Sequence, residues 1–185
     1  MKRDITQKLK DEHQLILRML ALLEKQALLT AEGSFRDYRF YLDGVDFIRN
    51  YADRFHHAKE EDILFEALID NGMPRGNSPV AAMLMEHDLG RGFVRSMEEA
   101  AMRALNGESG QDEAIVANAR GYLELLREHI SKEHEILYPL AERVIPEDKR
   151  DGIAAGYQRA EEKAQEGLES HYRAIVEGYE AKAAA

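Results

Sequence analysis

Four long stretches of the chain carry apolar residues at helical spacing. In the first stretch Leu9, Ile16, Leu20, Leu23 and Ala27 would form one stripe along a helix. We find no convincing stretch in which apolar and polar residues alternate between turns, as they do in a half-buried strand. Ala, Glu, Leu and Arg dominate the composition, and these residues favour helix. The pattern therefore predicts an amphipathic helical protein.

Residues that cap or break helices set the predicted ends of these stretches. Asp4, Ser34, Ser78 and Asp112 are suitable N-caps, and Pro79 follows Ser78 at the first helical position, where proline is favoured. Glycine and proline interrupt the chain between the stretches. The resulting helices are predicted over residues 4–31, 35–70, 79–106 and 112–144.

Short connections between four long helices are typical of an all-α, up-down-up-down four-helix bundle. We assign this bundle to residues 1–145. Residues 146–185 begin at Pro146 and are charged and repeatedly interrupted by glycine. We expect this segment to form a C-terminal helical appendage that packs on the outside of the bundle.

Charge and cysteine content narrow the possible functions. The 185 residues include 35 acidic and 25 basic side chains, which give a formal net charge of −10. This sign disfavours nucleic acid and anionic membranes as partners. No apolar run approaches the roughly 20 residues of a membrane span, and the first residues lack the apolar core of a secretory signal. Without cysteine, any metal must be bound by His, Asp or Glu, and we expect a soluble, cytoplasmic protein.

Histidines are distributed over all four predicted helices. Two helices carry a His with a Glu four residues later, which places both side chains on one helical face, and the other two helices carry a single His. At a rise of about 1.5 Å per residue, the four His come to the same level of the bundle. One His per helix with two carboxylates suits a pair of metal ions. The predicted metal ligands are His13, His57, Glu61, His87, His129 and Glu133.

The donor set also bears on the metal and its chemistry. Imidazole and carboxylate without thiolate suit Fe or Mn and can also bind Zn. Six polar groups in a helical core would be costly to bury unless something satisfied them, and a bound metal pair would do so. Six protein ligands also leave open positions for a small exogenous molecule.

Several sequence motifs follow one another over about residues 5–145, in the order and with the separations typical of one protein family. They are EHQLIL, HHAKEEDILFEAL, the loop GMPRGNSP followed by MLMEHDLGR, and HISKEHEILYPLAE. In these motifs the sequence resembles the hemerythrin-like HHE cation-binding family. The resemblance implies a non-haem centre of two Fe ions with an oxo or hydroxo bridge. It also implies terminal ligands at His13, His57, His87 and His129, with bridging carboxylates from Glu61 and Glu133.

The sequence departs from the oxygen-carrying hemerythrins in two places. Those proteins use five His, with a second one near the third-helix position, where this chain has Arg91 four residues after His87. They also place a carboxylate five residues after the last His, where this chain has Glu133 at four and His134 at five. The resemblance therefore favours family members associated with iron, nitric oxide or redox handling over simple O2 carriage.

Neighbouring residues leave alternatives at the predicted site. His56 lies about 100° around an α-helix from His57, so we place it on the flank. Glu60 could reach the centre or be solvated, and His134 could replace or supplement Glu133. Arg91 could orient a bridging carboxylate or form a surface ion pair. Three Glu residues that precede a His could contact the ligands without binding metal, namely Glu12, Glu86 and Glu128.

These observations lead to a functional hypothesis and two rivals. The first is a cytoplasmic di-iron protein that binds or reacts with O2, peroxide or nitric oxide in redox, iron or stress handling. The second is an iron or oxygen sensor, or an iron store, without turnover. The third is a bundle that the metal only stabilises. The sequence leaves open whether the protein is an enzyme and what its oligomeric state is.

Overall fold

A computed structural model describes residues 2–184. The described residues form six helices and no strand, so the all-α fold predicted from the hydrophobic periodicity is confirmed. None of these helices is both long and apolar enough to cross a membrane. The helices are α1 (Gln7–Ala31), α2 (38–70), α3 (Pro79–Leu105), α4 (112–144), α5 (Glu147–Lys163) and α6 (Leu168–Ala184).

Helix ends follow the capping residues in part. The Asp4 carboxylate accepts the backbone N–H of Thr6 and of Gln7, each at 2.8 Å, just before α1 begins. At the start of α3, the Ser78 hydroxyl accepts the N–H of Ala81 at 3.2 Å, as predicted. Ser34 differs from the prediction, because its hydroxyl donates to the Leu29 carbonyl. It therefore closes the end of α1, and α2 begins four residues later at 38.

Two of the helices change their hydrogen-bond pattern along their length. Helix α2 is α-helical over Tyr38–Phe47, π-helical over Ile48–His57 and Glu60–Phe65, and α-helical again over Glu66–Asp70. Helix α4 is α-helical over Asp112–Lys132, π-helical over Glu133–Leu137 and α-helical over Tyr138–Val144. A π-helix bonds residue i to i+5 and so has more residues per turn than an α-helix. Side chains in these segments therefore point in directions that an α-helical wheel does not give.

A polar layer separates two apolar clusters inside the bundle. Along α1, His13 lies between Leu9 of one cluster and Ile16 of the other. Along α3, His87 lies in the same way between Met83 and Val94. The order of the clusters is reversed on α2, between Phe55 and Leu64, and on α4, between Ile130 and Leu137, because these helices run in the opposite direction. The four helices therefore present their polar side chains to one another at one level.

The C-terminal helices pack against the bundle. Arg150 of α5 is fully buried and donates to the carbonyl oxygens of Arg3 at 2.7 Å and Ile145 at 3.1 Å. Val176 of α6 is buried in the cluster that contains Ile16. The Tyr172 hydroxyl donates to Asp46 at 2.8 Å and so links α6 to α2. Helices α5 and α6 thus cover α1 and α2 from outside.

Candidate metal centre

Two groups of buried side chains lie in the polar layer, and each could hold one metal ion. One group is His57, Glu60, His87 and His129, and the other is His13, His56, Glu60 and Glu133. Within each group the candidate ligand atoms all lie within 4.8 Å of one another. None of the seven residues is more than 7% exposed. We call His57, His87 and His129 the three-His half, and His13 and His56 the two-His half.

The two carboxylates lie between these halves. Glu133 has Oε1 at 3.2 Å from Nε2 of His129 and Oε2 at 3.3 Å from Nε2 of His13. Glu60 has Oε2 at 3.6 Å from Nε2 of His87 and at 3.7 Å from Nε2 of His56. Each carboxylate therefore faces one His from either half, the position that a ligand shared by two ions would take.

Four of the five His rings are held through Nδ1 by a carboxylate, and each of these carboxylates comes from outside the two groups. A His that donates from Nδ1 presents the lone pair of Nε2 to the centre, which is the tautomer that metal ligands need. The pairs are His56 with Glu12 at 2.9 Å, His57 with Asp53 at 3.4 Å, His87 with Glu61 at 2.7 Å and His129 with Glu86 at 2.9 Å.

Cations hold these carboxylates in turn. Arg91 donates to Asp53 at 2.6 Å and to Glu61 at 2.7 Å, so one guanidinium supports two His of the three-His half. Lys132 pairs with Glu86, and the fully buried Lys59 pairs with Glu12. Each of these carboxylates thus lies between a His and a cation. Burial nevertheless raises the pKa of Glu12 to about 7 despite its contact with Lys59.

The remaining His, His13, is held differently. Its Nδ1 lies 2.8 Å from Nε2 of His134, a neutral partner that is only half-buried. Nearby, the Tyr138 hydroxyl donates to Oε1 of Glu60 at 2.5 Å, which leaves Oε2 facing the His residues. The two-His half is therefore bordered by a second histidine and a tyrosine.

The inward-facing atoms lack partners within the protein. Nε2 of His56, Oε2 of Glu60 and both oxygens of Glu133 are buried without a hydrogen-bond partner among the described residues. Leaving such groups unsatisfied costs about 1–3 kcal/mol each. Since three of these four atoms belong to carboxylates and the other is an imidazole nitrogen, a cation is the partner that would satisfy them all.

The contact between His87 and His129 supports the same conclusion. Their Nε2 atoms are 3.0 Å apart, and both rings engage a carboxylate through Nδ1. If both donate from Nδ1, two lone pairs face each other, which is unfavourable without a positive charge between them. Two nitrogens at about 2.1 Å from one ion and at right angles would be about 3.0 Å apart. The spacing therefore fits two ligands of a single metal ion.

Burial tunes the protonation of these groups. Burial and then the neighbouring His87 lower the pKa of His57 to about 3. Burial also holds the pKa of His56 well below its ordinary value, so both rings are neutral near pH 7 with a lone pair available. Burial and the adjacent Glu133 raise the pKa of Glu60. Two carboxylates this close resist joint ionisation unless a cation lies with them.

Comparison with known families agrees with this geometry. The hemerythrin HHE cation-binding domain matches residues 4–141, about three quarters of the chain. The chain belongs to this family. The resemblance inferred from the sequence motifs is thus confirmed, and all seven residues of the two groups lie in the matched region. No curated protein and no solved structure matches the chain.

Within this hemerythrin HHE domain, the structure brings together five of the six ligands predicted from the sequence. His13, His57, His87, His129 and Glu133 all belong to the two groups. Glu61 lies outside them and instead contacts Nδ1 of His87 and the guanidinium of Arg91. Glu12 and Glu86 contact ligands in the way considered from the sequence. Glu128 does not, because its side chain is exposed and has no hydrogen bond to a His among the described residues.

Two residues of the centre, His56 and Glu60, were not in the predicted ligand set. The sequence holds a signal for them, because HHAKEE contains two overlapping pairs at i and i+4, His56 with Glu60 and His57 with Glu61. An α-helical wheel directs only one pair inward. The π-helical geometry of Ile48–His57 and Glu60–Phe65 instead lets His56, His57 and Glu60 all face the centre.

Proposed function

We propose that the protein binds two iron ions at this centre. His57, His87 and His129 would hold one ion and His13 and His56 the other, with Glu60 and Glu133 shared by both. The observation that carries this proposal is that two buried ligand groups have Glu60 in common, while the atoms facing inward lack partners in the described chain. Imidazole and carboxylate donors suit iron, and Mn or Zn are the alternatives.

In this proposal Glu61 orients a ligand instead of bridging the ions. Its carboxylate lies 2.7 Å from Nδ1 of His87, and His87 Nε2 faces the centre. His56 and Glu60 are added to the ligand set. This arrangement uses seven protein side chains, which is one more than the sequence alone led us to expect.

We further propose that the centre binds or reacts with O2, peroxide or nitric oxide, in redox, iron or stress handling. A bound iron pair supplies electrons and binding positions for such a molecule. Each buried group contains four residues, and Glu133 of the second group also lies 3.2 Å from Nε2 of His129. If Glu133 is shared as proposed, the three-His half would have five protein donors and the two-His half four. The small molecule is therefore expected at the two-His half.

Two neighbouring side chains orient ligands of the two-His half. Tyr138 holds Oε1 of Glu60, and His134 holds Nδ1 of His13. Neither contact occupies an atom that faces inward.

We also propose a cytoplasmic location, because a chain without cysteine gains no disulfide from an oxidising compartment. Neither nucleic acid nor membrane is proposed as a partner, given the net charge of −10.

Metal content tests the ligand assignment. Anaerobically purified, iron-reconstituted protein is expected to hold close to two Fe per chain, and Glu60→Gln should lose most of this iron because it removes a carboxylate shared by both ions. Glu61→Gln is the matched control on the same helix and should keep nearly two Fe, since His87 retains its Nε2. Equal iron loss in the two variants, or a constant value of one Fe or less in the wild type, would refute the assignment.

Spectroscopy of the loaded protein tests the reactivity. The iron-loaded protein would be reduced and then exposed separately to air, hydrogen peroxide and nitric oxide. Reversible O2 binding would indicate carriage or sensing, and catalytic loss of peroxide would make the protein an enzyme. Retention of iron with no spectral response to any of the three would favour a store or a metal-stabilised bundle and contradict the proposed reactivity.

A further inference from the structure

A cavity of about 220 Å³ opens between α2, α3 and α4 beside the three-His half. Its buried wall includes the three His of that half, and its apolar wall includes Ile48, Val94 and Leu126. Two exposed arginines, Arg54 and Arg95, also line the cavity and mark its solvent side. The cavity therefore runs from the protein surface to the metal centre, with apolar sides and a cationic mouth.

The charge at this mouth contrasts with the rest of the chain. Four arginines line the cavity, and two of them are already engaged, Arg49 by Glu98 and Arg91 by Asp53. Within residues 2–184, Arg54 and Arg95 form no ion pair, and Arg54 donates only to the Asn50 side-chain oxygen at 3.1 Å. On a protein of net charge −10, two unpaired guanidinium groups at one opening create a local field that attracts anions.

Two further features point to a ligand in this space. The ring of Tyr122 lines the cavity, and its hydroxyl is buried without a hydrogen-bond partner among the described residues. An oxygen acceptor bound in the cavity would remove the cost of this unsatisfied donor. Gly90 also lines the cavity, and a Cβ there would lie 3.4 Å from the Tyr122 ring. Glycine at this position keeps the space beside Tyr122 open.

We propose that this cavity binds a small oxyanion, with Arg54 and Arg95 as its charged recognition groups and the Tyr122 hydroxyl as a donor. Guanidinium groups pair with carboxylate and phosphate oxygens through parallel hydrogen bonds. The volume of about 220 Å³ is below the range of about 300–1,000 Å³ for drug-sized ligands, so the anion is a small carboxylate or an inorganic oxyanion. It binds beside the three-His half and does not replace a metal ligand.

Calorimetric titration of the iron-loaded protein tests the site. The probes are acetate, propionate, nitrite and phosphate, each at constant ionic strength in chloride. At least one probe should bind with a stoichiometry of one per chain. The probe that binds most tightly shows whether the site prefers a carboxylate or an inorganic oxyanion. Arg54→Gln/Arg95→Gln should weaken this binding by about tenfold or more, because it removes two charged donors. Arg36→Gln/Arg39→Gln removes the same charge from exposed positions outside the cavity and should change the affinity less than about twofold.

A second pair of variants tests the cavity itself. Gly90→Leu should fill it and abolish binding, whereas Gly92→Leu, two residues along α3 in open space, should leave binding intact. Absence of binding by every probe, or equal affinity in the wild type and in Arg54→Gln/Arg95→Gln, would overturn the proposal. Iron content measured on the same samples keeps this result separate from the proposed function, since a fully loaded protein without anion binding contradicts only the cavity.

Discussion

The two halves of the centre differ in number of His and in how these His are held. The three-His half takes one His from each of α2, α3 and α4, and all three rings are held by carboxylates. The two-His half takes its rings from α1 and α2, and only His56 is held by a carboxylate. His13 is held by the neutral His134. Hydrogen bonds to ionised groups are roughly twice as strong as those between neutral groups, so the three-His half has the firmer support.

Because of this difference, we expect the two halves of the buried centre to have different roles. The three-His half has more donors and better-fixed rings, which suits stable retention of an ion. The two-His half has fewer donors and leaves more room for an exogenous molecule. Helix α2 contributes the adjacent residues His56 and His57 to opposite halves, so the asymmetry depends on the local geometry of this one helix.

The largest effect is expected from a change that affects both halves at once. Glu133→Gln removes a carboxylate that faces both, so iron affinity should fall by about 100-fold or more, since even outer-shell contacts are worth 10–100-fold. The melting temperature of the reconstituted protein should fall with it. Elemental analysis and thermal unfolding measure the two effects.

Metal-free protein serves as the control for this variant. Although burial raises the pKa of Glu133, His129 and His13 hold it well below its ordinary value, so the ionised carboxylate stabilises the metal-free fold near pH 7. Metal-free Glu133→Gln should therefore be somewhat less stable than the metal-free wild type, by less than the difference between the two metal-loaded proteins. The exposed Glu135→Gln should match the wild type in both forms. A loss of stability without metal as large as the loss with metal would mean that Glu133 acts through the fold and not through metal binding.

A smaller effect should separate the two halves directly. His56→Ala leaves the two-His half with a single His, and the expected content is about one Fe per chain. His57→Ala leaves two His in the other half, the number that the two-His half has naturally, so it should keep nearly two Fe with weaker affinity. Measurement of the iron content at increasing chelator concentrations gives both the stoichiometry and the affinity of each variant. The asymmetry would be disproved if His57→Ala lost more iron than His56→Ala.

The carboxylates that orient the His should have effects of intermediate size. Glu12→Gln weakens the hold on His56 and leaves the buried Lys59 with Glu161, at 3.5 Å, as its remaining charged partner. We expect the affinity for the second ion to fall by about tenfold. Asp62→Asn, a comparable change at an exposed residue of α2, should leave it unchanged. Competition with a chelator gives the affinities, and identical values for Glu12→Gln and the wild type would argue against this support.

The smallest effect is expected at His134. His134→Phe removes a neutral contact to Nδ1 of His13 while keeping an aromatic ring of similar shape, so the cost is about 1 kcal/mol or roughly fivefold in affinity. The same chelator competition can resolve it. Loss of the second ion in this variant, as expected for His56→Ala, would indicate that His134 is itself a ligand, which would make the two halves equal in His.

The fold could be predicted from the sequence because the features that indicate helices and their ends are local. Amphipathic periodicity, the caps at Asp4 and Ser78 and the glycine–proline breaks are properties of neighbouring residues, and they lead to the helical bundle directly. His13, His87 and His129 were found because their level along a helix depends only on the rise per residue. The start of α2 was less accurate, since Ser34 bonds back to α1.

What the sequence by itself determined is therefore the helical bundle, the absence of thiolate ligands and the level at which His and carboxylates meet. The tertiary structure decided which neighbouring residues face inward, because the π-helical stretches of α2 turn Glu60 and His56 toward the centre and leave Glu61 beside Arg91. It also decided the support of each ring, since the carboxylate that holds a His mostly comes from another helix, as Glu12 of α1 does for His56 of α2. Rotation about a helix axis and contacts between helices depend on packing, and packing is not a local property of the chain.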